Sequence, residues 1–331
     1  MTKILVANVR EWELSDIKTF EKEHEIEVIT TPKNLEDSTE LLADVDGVAI
    51  QQRQPLDPGI YAKLKENGIK QIASRTAGYD MIDVEKAHEN GLVVTNVPAY
   101  SPRSVAEHAL TQIFRMLRKS YLIDARAANC DFGWYPDEQA TEIHTATIGV
   151  IGVGRIGGAL AKMLHALGAE VLGYDVKPRE EMKGIVEYVS KEELLTRSDV
   201  VSLHVNLNPT SEKLITKEDF ALMKPTAALV NASRGPVVVT EDLVDALEKK
   251  EIAAAALDTF VGENEIVPKD LSNTGLGDFP LIDKLHKMYN VYLTPHIAFF
   301  TNMAIKNMVD ISLTDILTIL DGKKSEHELE R

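Results

Sequence analysis

Short apolar runs, each closed by a polar turn and followed by apolar positions at helical spacing, recur along nearly the whole chain. In the first hundred residues "KILVAN", "EIEVIT", "GVAIQQ", "KQIASR" and "LVVTNV" are strand-like, and stretches such as "DPGIYAKLKENG" and "IDVEKAHENG" lie between them. Strands alternating with helices predict βαβ units and a parallel sheet. Prolines 98 and 102 interrupt the pattern, and "SVAEHALTQIFRMLRKSYLIDARAANC" then reads as one long helix, of a length that suits a connection between two domains. Strands resume in "TATIGVIGV", "EVLGYD", "DVVSLHV", "AALVNAS", "AAAALD" and "VYLTP". The tail "TNMAIKNMVDISLTDILTILDG" is an amphipathic helix, free to return in space to the first domain. The stretch "GENEIVPKDLSNTGLGDFPLIDKL" is too long for an ordinary strand-to-helix connection and reads as a lid or a subunit contact.

Composition narrows the possibilities. A chain of 331 residues has room for two cores. Its 36 basic and 52 acidic residues leave a formal charge of −16, which repels nucleic acid and anionic membranes. Neither is expected as a partner. The single cysteine, Cys130, excludes an intrachain disulfide and a thiolate metal cage, and it suits a reducing compartment. No apolar run has the length of a membrane span and the start lacks a secretory pattern, so a soluble cytosolic protein without a metal is expected. An acidic protein that handles an anionic substrate needs a local cation, for which Arg234 and Arg75 are candidates.

Two sets of residues carry chemistry. Gly152, Gly154 and Gly157 form G-x-G-x-x-G between an apolar run and a helix whose face carries Leu160, Met163, Leu164 and Leu167. In that context the first glycine permits a tight turn, the second a close approach of a pyrophosphate, and the third close packing of helix on strand. Asp175 ends the next strand, 18 residues beyond Gly157, where an acid accepts hydrogen bonds from ribose hydroxyls and repels a 2′-phosphate. NAD is therefore expected over NADP, although Lys177 and Arg179 nearby leave room for some NADP use. Arg234, Glu263 and His296 each follow a later strand. Singly they read as a surface cation, a solvated acid and a packed histidine. Jointly they supply a guanidinium for a carboxylate and its adjacent carbonyl, a proton donor for the oxygen that receives charge on hydride transfer, and a carboxylate that orients the donor and favours its protonated form.

With these residues in view, the chain resembles the D-isomer-specific 2-hydroxyacid dehydrogenases over nearly its whole length. The matching stretches are "IGVIGVGRIG", "NASRGPVV", "LDTFVGE" and "LTPHIAFF", with "SRTAGYDMID" and "NVPAYSPRSVAEHAL" in the first domain. Within the family it is most similar to the D-lactate dehydrogenases of fermenting bacteria. The resemblance implies an α/β protein of two doubly wound parallel-sheet domains with a cleft between them. A flavodoxin-like substrate domain would comprise residues 1–101 and 298–331, and a Rossmann NAD-binding domain residues 102–297. It also implies Arg234, Glu263 and His296 as the catalytic trio. Gly152, Gly154, Arg155, Ile156, Gly157, Asp175, Val205, Asn206, Ala232, Ser233, Arg234 and Asp258 would line the NAD site, with Asp258 on the nicotinamide side.

The backbone N–H groups of Ala77 and Gly78 would hold the substrate carboxylate, joined in the pocket by Arg234, Tyr100 and Phe299. Gln51 is a further candidate for narrowing that pocket, and Trp134 and Tyr135 read either as core anchors or as part of an active-site wall. The implied reaction is reduction of pyruvate to D-lactate. A bulkier 2-oxo acid, leading to 2-hydroxyisocaproate or phenyllactate, is the alternative, and a non-enzymatic NADH sensor is the rival from another class. A homodimer is also implied. Ala106, Ala109, Leu110, Ile113, Phe114 and Leu117 are too many for one face of a solvated helix, which fits either a subunit interface or burial within the monomer. The chain departs from the family pattern at Asn206, where proline is common, and at Val261, where an acid is common in lactate-type relatives.

Overall fold

The computed structural model describes residues 1–52 and 54–330, which divide into two compact units, the first from residues up to 101 with those from 300 to 330 and the second residues 102–299. The second unit therefore extends two residues beyond the expected boundary. Ala298 is held there because its N–H donates to Asp258 and its carbonyl accepts from the Ser104 hydroxyl.

In the first unit, five parallel strands, β1 (Lys3–Val6), β2 (Glu27–Thr30), β3 (Gly47–Ile50), β4 (Gln71–Ser74) and β5 (Val93–Thr95), lie in the order β2-β1-β3-β4-β5. This is the flavodoxin-like order. Alternate side chains of a strand face opposite ways, so Ile4 and Val6 pack with Ala49, Ala73 and the helices Leu14–His24 and Asn302–Leu320, while Leu5, Val48 and Ile50 pack with Tyr61 and Leu64 on the other face. The C-terminal helix sits so close to β3 that a Cβ on Gly47 would stand 2.6 Å from Ile316.

Arg75 lies inside this unit with 0% exposure. Its guanidinium forks onto Glu13 at 3.0 and 3.2 Å and donates to the carbonyls of Ala7, Ala49 and Asn8 and weakly to Gln51 Oε1. A buried cation satisfied in this way ties the ends of β1, β3 and β4 together, and it is not the substrate-binding cation.

The second unit holds seven parallel strands: β6 (Thr147–Ile151), β7 (Glu170–Tyr174), β8 (Glu187–Tyr188), β9 (Val200–Leu203), β10 (Ala228–Asn231), β11 (Ala254–Leu257) and β12 (Val291–Leu293). The order β12-β11-β10-β9-β6-β7-β8 is the doubly wound arrangement, with its switch point between β6 and β9. Val201, Leu203, Leu229, Ala255 and Leu257 face one core, and Ile148, Val150, Val230 and Ala256 the other.

The long helix expected from Ser104 is two helices, Pro102–Leu117 and Ser120–Ala127, broken at Lys119, whose φ is +51°. Apolar spacing runs on across the break from Leu117 to the buried Tyr121, so the pattern of hydrophobic positions does not mark it. Ala106, Ala109, Ile113 and Leu117 are buried within the unit's own core. Leu110 packs at its margin, and Phe114 is half-buried and joins no core cluster, so burial within the monomer accounts for four of the six apolar residues in full. Trp134, at 99% exposure, anchors no core, and Tyr135 lies over Arg126 with its hydroxyl on Asp131. No helix among the described residues is long and apolar enough to cross a membrane.

Candidate active site

At the switch point of the second unit, Gly152 adopts φ +89° and a Cβ there would lie 2.7 Å from the His204 carbonyl oxygen and 3.0 Å from a Val205 methyl. At Gly157 a Cβ would meet the Gly152 carbonyl at 2.0 Å, so helix Arg155–Ala166 can start against β6 only if that residue is glycine. Gly154 differs: a Cβ there would meet nothing within 4 Å. The space in front of the helix is therefore clear. Gly154 is the N-cap, no side chain caps the helix and its first turn carries no acid, so its N–H groups and positive dipole end are left for an anion. Arg155 is exposed at that end, and Ile156 packs against the core.

The turn is anchored by Asp175, one oxygen of which accepts from Val153 N–H at 2.7 Å while the other accepts from Lys177 N–H at 2.9 Å. Each carboxylate oxygen keeps a second acceptor site for a ribose hydroxyl. Val205 and Asn206 follow β9, and the Asn206 carbonyl accepts from the Ser211 hydroxyl in a loop closed by Asn208. That local turn replaces the constraint a proline at this position would give.

The three strand-end candidates come from β10, β11 and β12, which are neighbours in the sheet. Glu263 Oε1 lies 2.9 Å from His296 Nδ1, while Oε2 accepts from Phe260 N–H. Nδ1–H donates to the carboxylate, which leaves Nε2 for chemistry. His296 has φ +51°, and its N–H reaches the carbonyls of Asp258 and Thr294. Phe299 stands edge-on to the imidazole with centroids 6.5 Å apart. Arg234 follows β10 with Nη1 on the Ser233 carbonyl. The backbone behind it is tight, because a Cβ on Gly235 would lie 2.3 Å from the carbonyl carbon of Phe260.

Two buried polar residues hold these loops together, and their structural task is not legible from the sequence. Asn231 accepts from the Ser233 N–H and hydroxyl, and it donates to the carbonyls of Arg234 and Thr259. It thereby joins the Ala232–Ser233–Arg234 turn to the segment that leads to Glu263. Asp258, 3% exposed, accepts from the Thr294 hydroxyl at 2.6 Å and from the N–H groups of Ile297 and Ala298 at 2.9 and 3.0 Å. It fixes the turn that carries His296. His108 Nε2 lies 3.6 Å from the same carboxylate, and burial lowers the pKa of that imidazole. The only signals of these roles are an Asn at a strand end and a His on an apolar helix, and neither names its partner.

In the first unit, Ala77 and Gly78 follow β4, and Tyr100 is half-buried with its carbonyl accepting from Asn307 Nδ2 at 2.6 Å.

Comparison with known proteins decides the family. Residues 110–298 match the model of the D-isomer specific 2-hydroxyacid dehydrogenase NAD binding domain. A D-2-hydroxyacid dehydrogenase (NAD(+)) of Clostridioides difficile is 41% identical over 322 residues, covering 96% of this chain and 97% of its own. The chain belongs to the D-isomer specific 2-hydroxyacid dehydrogenase family. The structure of a D-lactate dehydrogenase from Sporolactobacillus sp. superposes with a TM-score of 0.88 at 49% identity, covering 100% of this chain and 99% of the other. That of a D-2-hydroxyisocaproate dehydrogenase gives 0.90 at 32% identity, covering 99% of each.

The protein is thus an NAD-dependent D-2-hydroxyacid dehydrogenase, and the clear space over Gly154 together with Asp175 fits the dinucleotide.

His204, beside the glycine turn, gives this enzyme a built-in pH dependence of stability. Its Nε2 meets the Ser202 hydroxyl at 2.8 Å, while Nδ1 is enclosed without a partner among the described residues. Burial pushes the ring down from 6.5 to about 4. Between these values the unfolded chain binds the proton more readily, so the contribution is complete above about pH 6.5 and is lost as pH falls toward about 4. Melting temperatures measured from pH 8 to pH 5 are expected to fall less steeply for His204→Gln than for the wild type. Parallel curves would contradict this. His108 shifts in the same direction and leaves a residual slope in the variant.

Proposed function

We propose that the enzyme reduces pyruvate to D-lactate, with His296 as the proton donor. The observation that carries this reading is the 2.9 Å contact of His296 Nδ1 with Glu263, beside Phe299, with Glu263 after β11, the strand that lies between His296's β12 and Arg234's β10. NADH, held on the Gly152–Gly157 turn with Asp175 at its ribose, supplies the hydride. Val205, Asn206, Ala232, Ser233 and Arg234 border the rest of the cofactor, with Asp258 toward its nicotinamide end.

Arg234 holds the substrate carboxylate and polarises the carbonyl, assisted by the N–H groups of Ala77 and Gly78. As the carbonyl carbon accepts hydride, its oxygen takes the proton from His296 Nε2, and Glu263 keeps the ring oriented throughout. Tyr100 and Phe299 limit the substrate side chain. The Sporolactobacillus relative's name supports the small substrate. Likeness to a D-2-hydroxyisocaproate dehydrogenase supports a bulkier 2-oxo acid as the second reading.

The test is steady-state NADH oxidation with pyruvate, 2-oxobutyrate, 2-oxoisocaproate and phenylpyruvate, with product chirality determined. The highest kcat/KM is expected for pyruvate, with D-lactate as product. A larger 2-oxo acid in first place would replace the substrate but keep the mechanism. Absence of turnover with all four would favour an NADH sensor.

We place the enzyme in a reducing, cytosolic compartment, where the exposed Cys130 stays a thiol. It is proposed to be a homodimer joined through the helix Pro102–Leu117, on which Leu110 and Phe114 stay part-buried, together with the exposed apolar residues Ile123, Phe132 and Trp134. Light scattering is expected to give twice the chain mass, and Trp134→Ser to weaken the dimer. A monomeric wild type would refute the assembly.

A further inference from the structure

The loop after β4 is arranged by its carbonyls. Thr76 O accepts from Val97 N–H at 3.1 Å, Ala77 O from Asn96 Nδ2 at 2.7 Å, and Gly78 O from the Thr76 hydroxyl at 2.6 Å. In a trans peptide the C=O and the following N–H point in opposite directions, so each tethered carbonyl aims the next amide away from its tether. The amides of Ala77 and Gly78 are set by the first two tethers, and neither has a protein acceptor among the described residues.

Asn96 is itself held from an unexpected quarter. β5 is the edge strand of its sheet, and the C-terminal tail lies along it: Leu329 N–H donates to Val94 O at 2.9 Å, Asn96 N–H to His327 O at 3.4 Å, and Thr95 and Glu328 form an antiparallel bridge. The tail is fastened in turn to the C-terminal helix. Asp315, buried on that helix, accepts from the Ser325 hydroxyl at 2.7 Å and lies 3.1 Å from His327 Nδ1, and the Ser325 hydroxyl accepts from His327 N–H. Leu329 packs on the unit's core. Every link in this chain of contacts belongs to the first unit.

We propose that Asn96 is a positioning residue for substrate binding, and that the C-terminal tail, fastened by Asp315, keeps it in place to aim the Gly78 amide. Asn96 touches the loop and not the substrate, so its effect is on the geometry of carboxylate binding. The inference rests on the reading of Ala77 and Gly78 as carboxylate donors. It adds that the last residues of the chain are part of the substrate machinery and not merely an edge cover.

Asn96→Ala, Asn96→Asp, Asp315→Ala and a chain ending at Lys324 test it in the full enzyme. The aspartate keeps the shape of Asn96 but has no N–H for the Ala77 carbonyl. An interaction shared by bound substrate and transition state shows in KM with little change in kcat. The KM for pyruvate is expected to rise about tenfold in both Asn96 variants and several-fold in the other two, with the Kd for NADH within about twofold of the wild type. That split would not follow from general loosening of the fold, and the Asn96→Asp and Asp315→Ala variants keep the test available if the shortened chain does not fold.

Gly78→Pro, which removes the amide hydrogen, separates the two readings. If it leaves the KM for pyruvate unchanged, the carboxylate reading fails and takes the inference with it. If it raises KM while both Asn96 variants stay within twofold of wild type, the inference alone is overturned.

Discussion

Replacing His296 by asparagine is expected to lower kcat by about two to four orders of magnitude while leaving the Kd for NADH within about twofold. Asparagine is the informative replacement because His296 has φ +51°, a conformation that Asn tolerates and most other residues adopt only with strain. A loss of activity then reports on the imidazole and not on a displaced backbone. The carboxamide also fits beside Glu263, so the carboxylate is not left facing an empty space. What it cannot do is release a proton to the alkoxide oxygen that forms as hydride arrives. Single-turnover oxidation of bound NADH in the presence of pyruvate measures that step directly. A rate within tenfold of the wild type would remove His296 from the proton-donor role.

The strands and the glycine turn were legible because their patterns are local. A four-residue run such as "GVAI" or "VVSL" is buried on both faces, as a central parallel strand requires, and the spacing of Gly152, Gly154 and Gly157 states a steric demand that the geometry repeats at 2.7 and 2.0 Å. β8 escaped notice because two residues, Glu187 and Tyr188, carry no periodicity at all. The break at Lys119 is hidden for a related reason: the residues around it are ordinary helix formers, and apolar spacing continues across it from Leu117 to Tyr121.

Charge was the less reliable guide. Arg75 and Arg234 look alike in sequence, each a cation just after a strand, but Arg75 is consumed by Glu13 and three carbonyls inside the first unit. Whether a cation is available depends on a residue 62 positions away. The same holds for Asn231 and Asp258. Their partners lie on loops brought together by the sheet order, and no spacing rule anticipates them. Trp134 reads from the sequence either as a core anchor or as part of an active-site wall, and the structure removes the first, since it is the most exposed of the large apolar side chains among the described residues.

The replacement with the widest consequences is Asp258→Ala, which is expected to damage stability and catalysis together. One buried carboxylate satisfies the Thr294 hydroxyl and the amides of Ile297 and Ala298. Removing it leaves the two amides without an acceptor, whereas the Thr294 hydroxyl keeps His108 Nε2 at 3.3 Å. A buried donor stripped of its partner costs about 1–3 kcal/mol. Ala298 is buried at 5% exposure and pays in full, whereas Ile297, at 40%, finds water. The net loss is then about 1–3 kcal/mol. For a unit the size of the second one that lowers the melting temperature by roughly 2–12 °C.

The catalytic loss follows from the same turn, because His296 sits between Thr294 and Ile297 and its own N–H reaches the Asp258 carbonyl. A reacting group displaced by about 1 Å can lose about a hundredfold in rate. Asp258→Asn should fall between the two, since its carbonyl oxygen still accepts while its amide faces a donor that it cannot satisfy. Calorimetry with kcat measured on the same samples is the check. An alanine variant that melts within about 2 °C of the wild type would show that the loop carrying His296 is held by something other than this carboxylate.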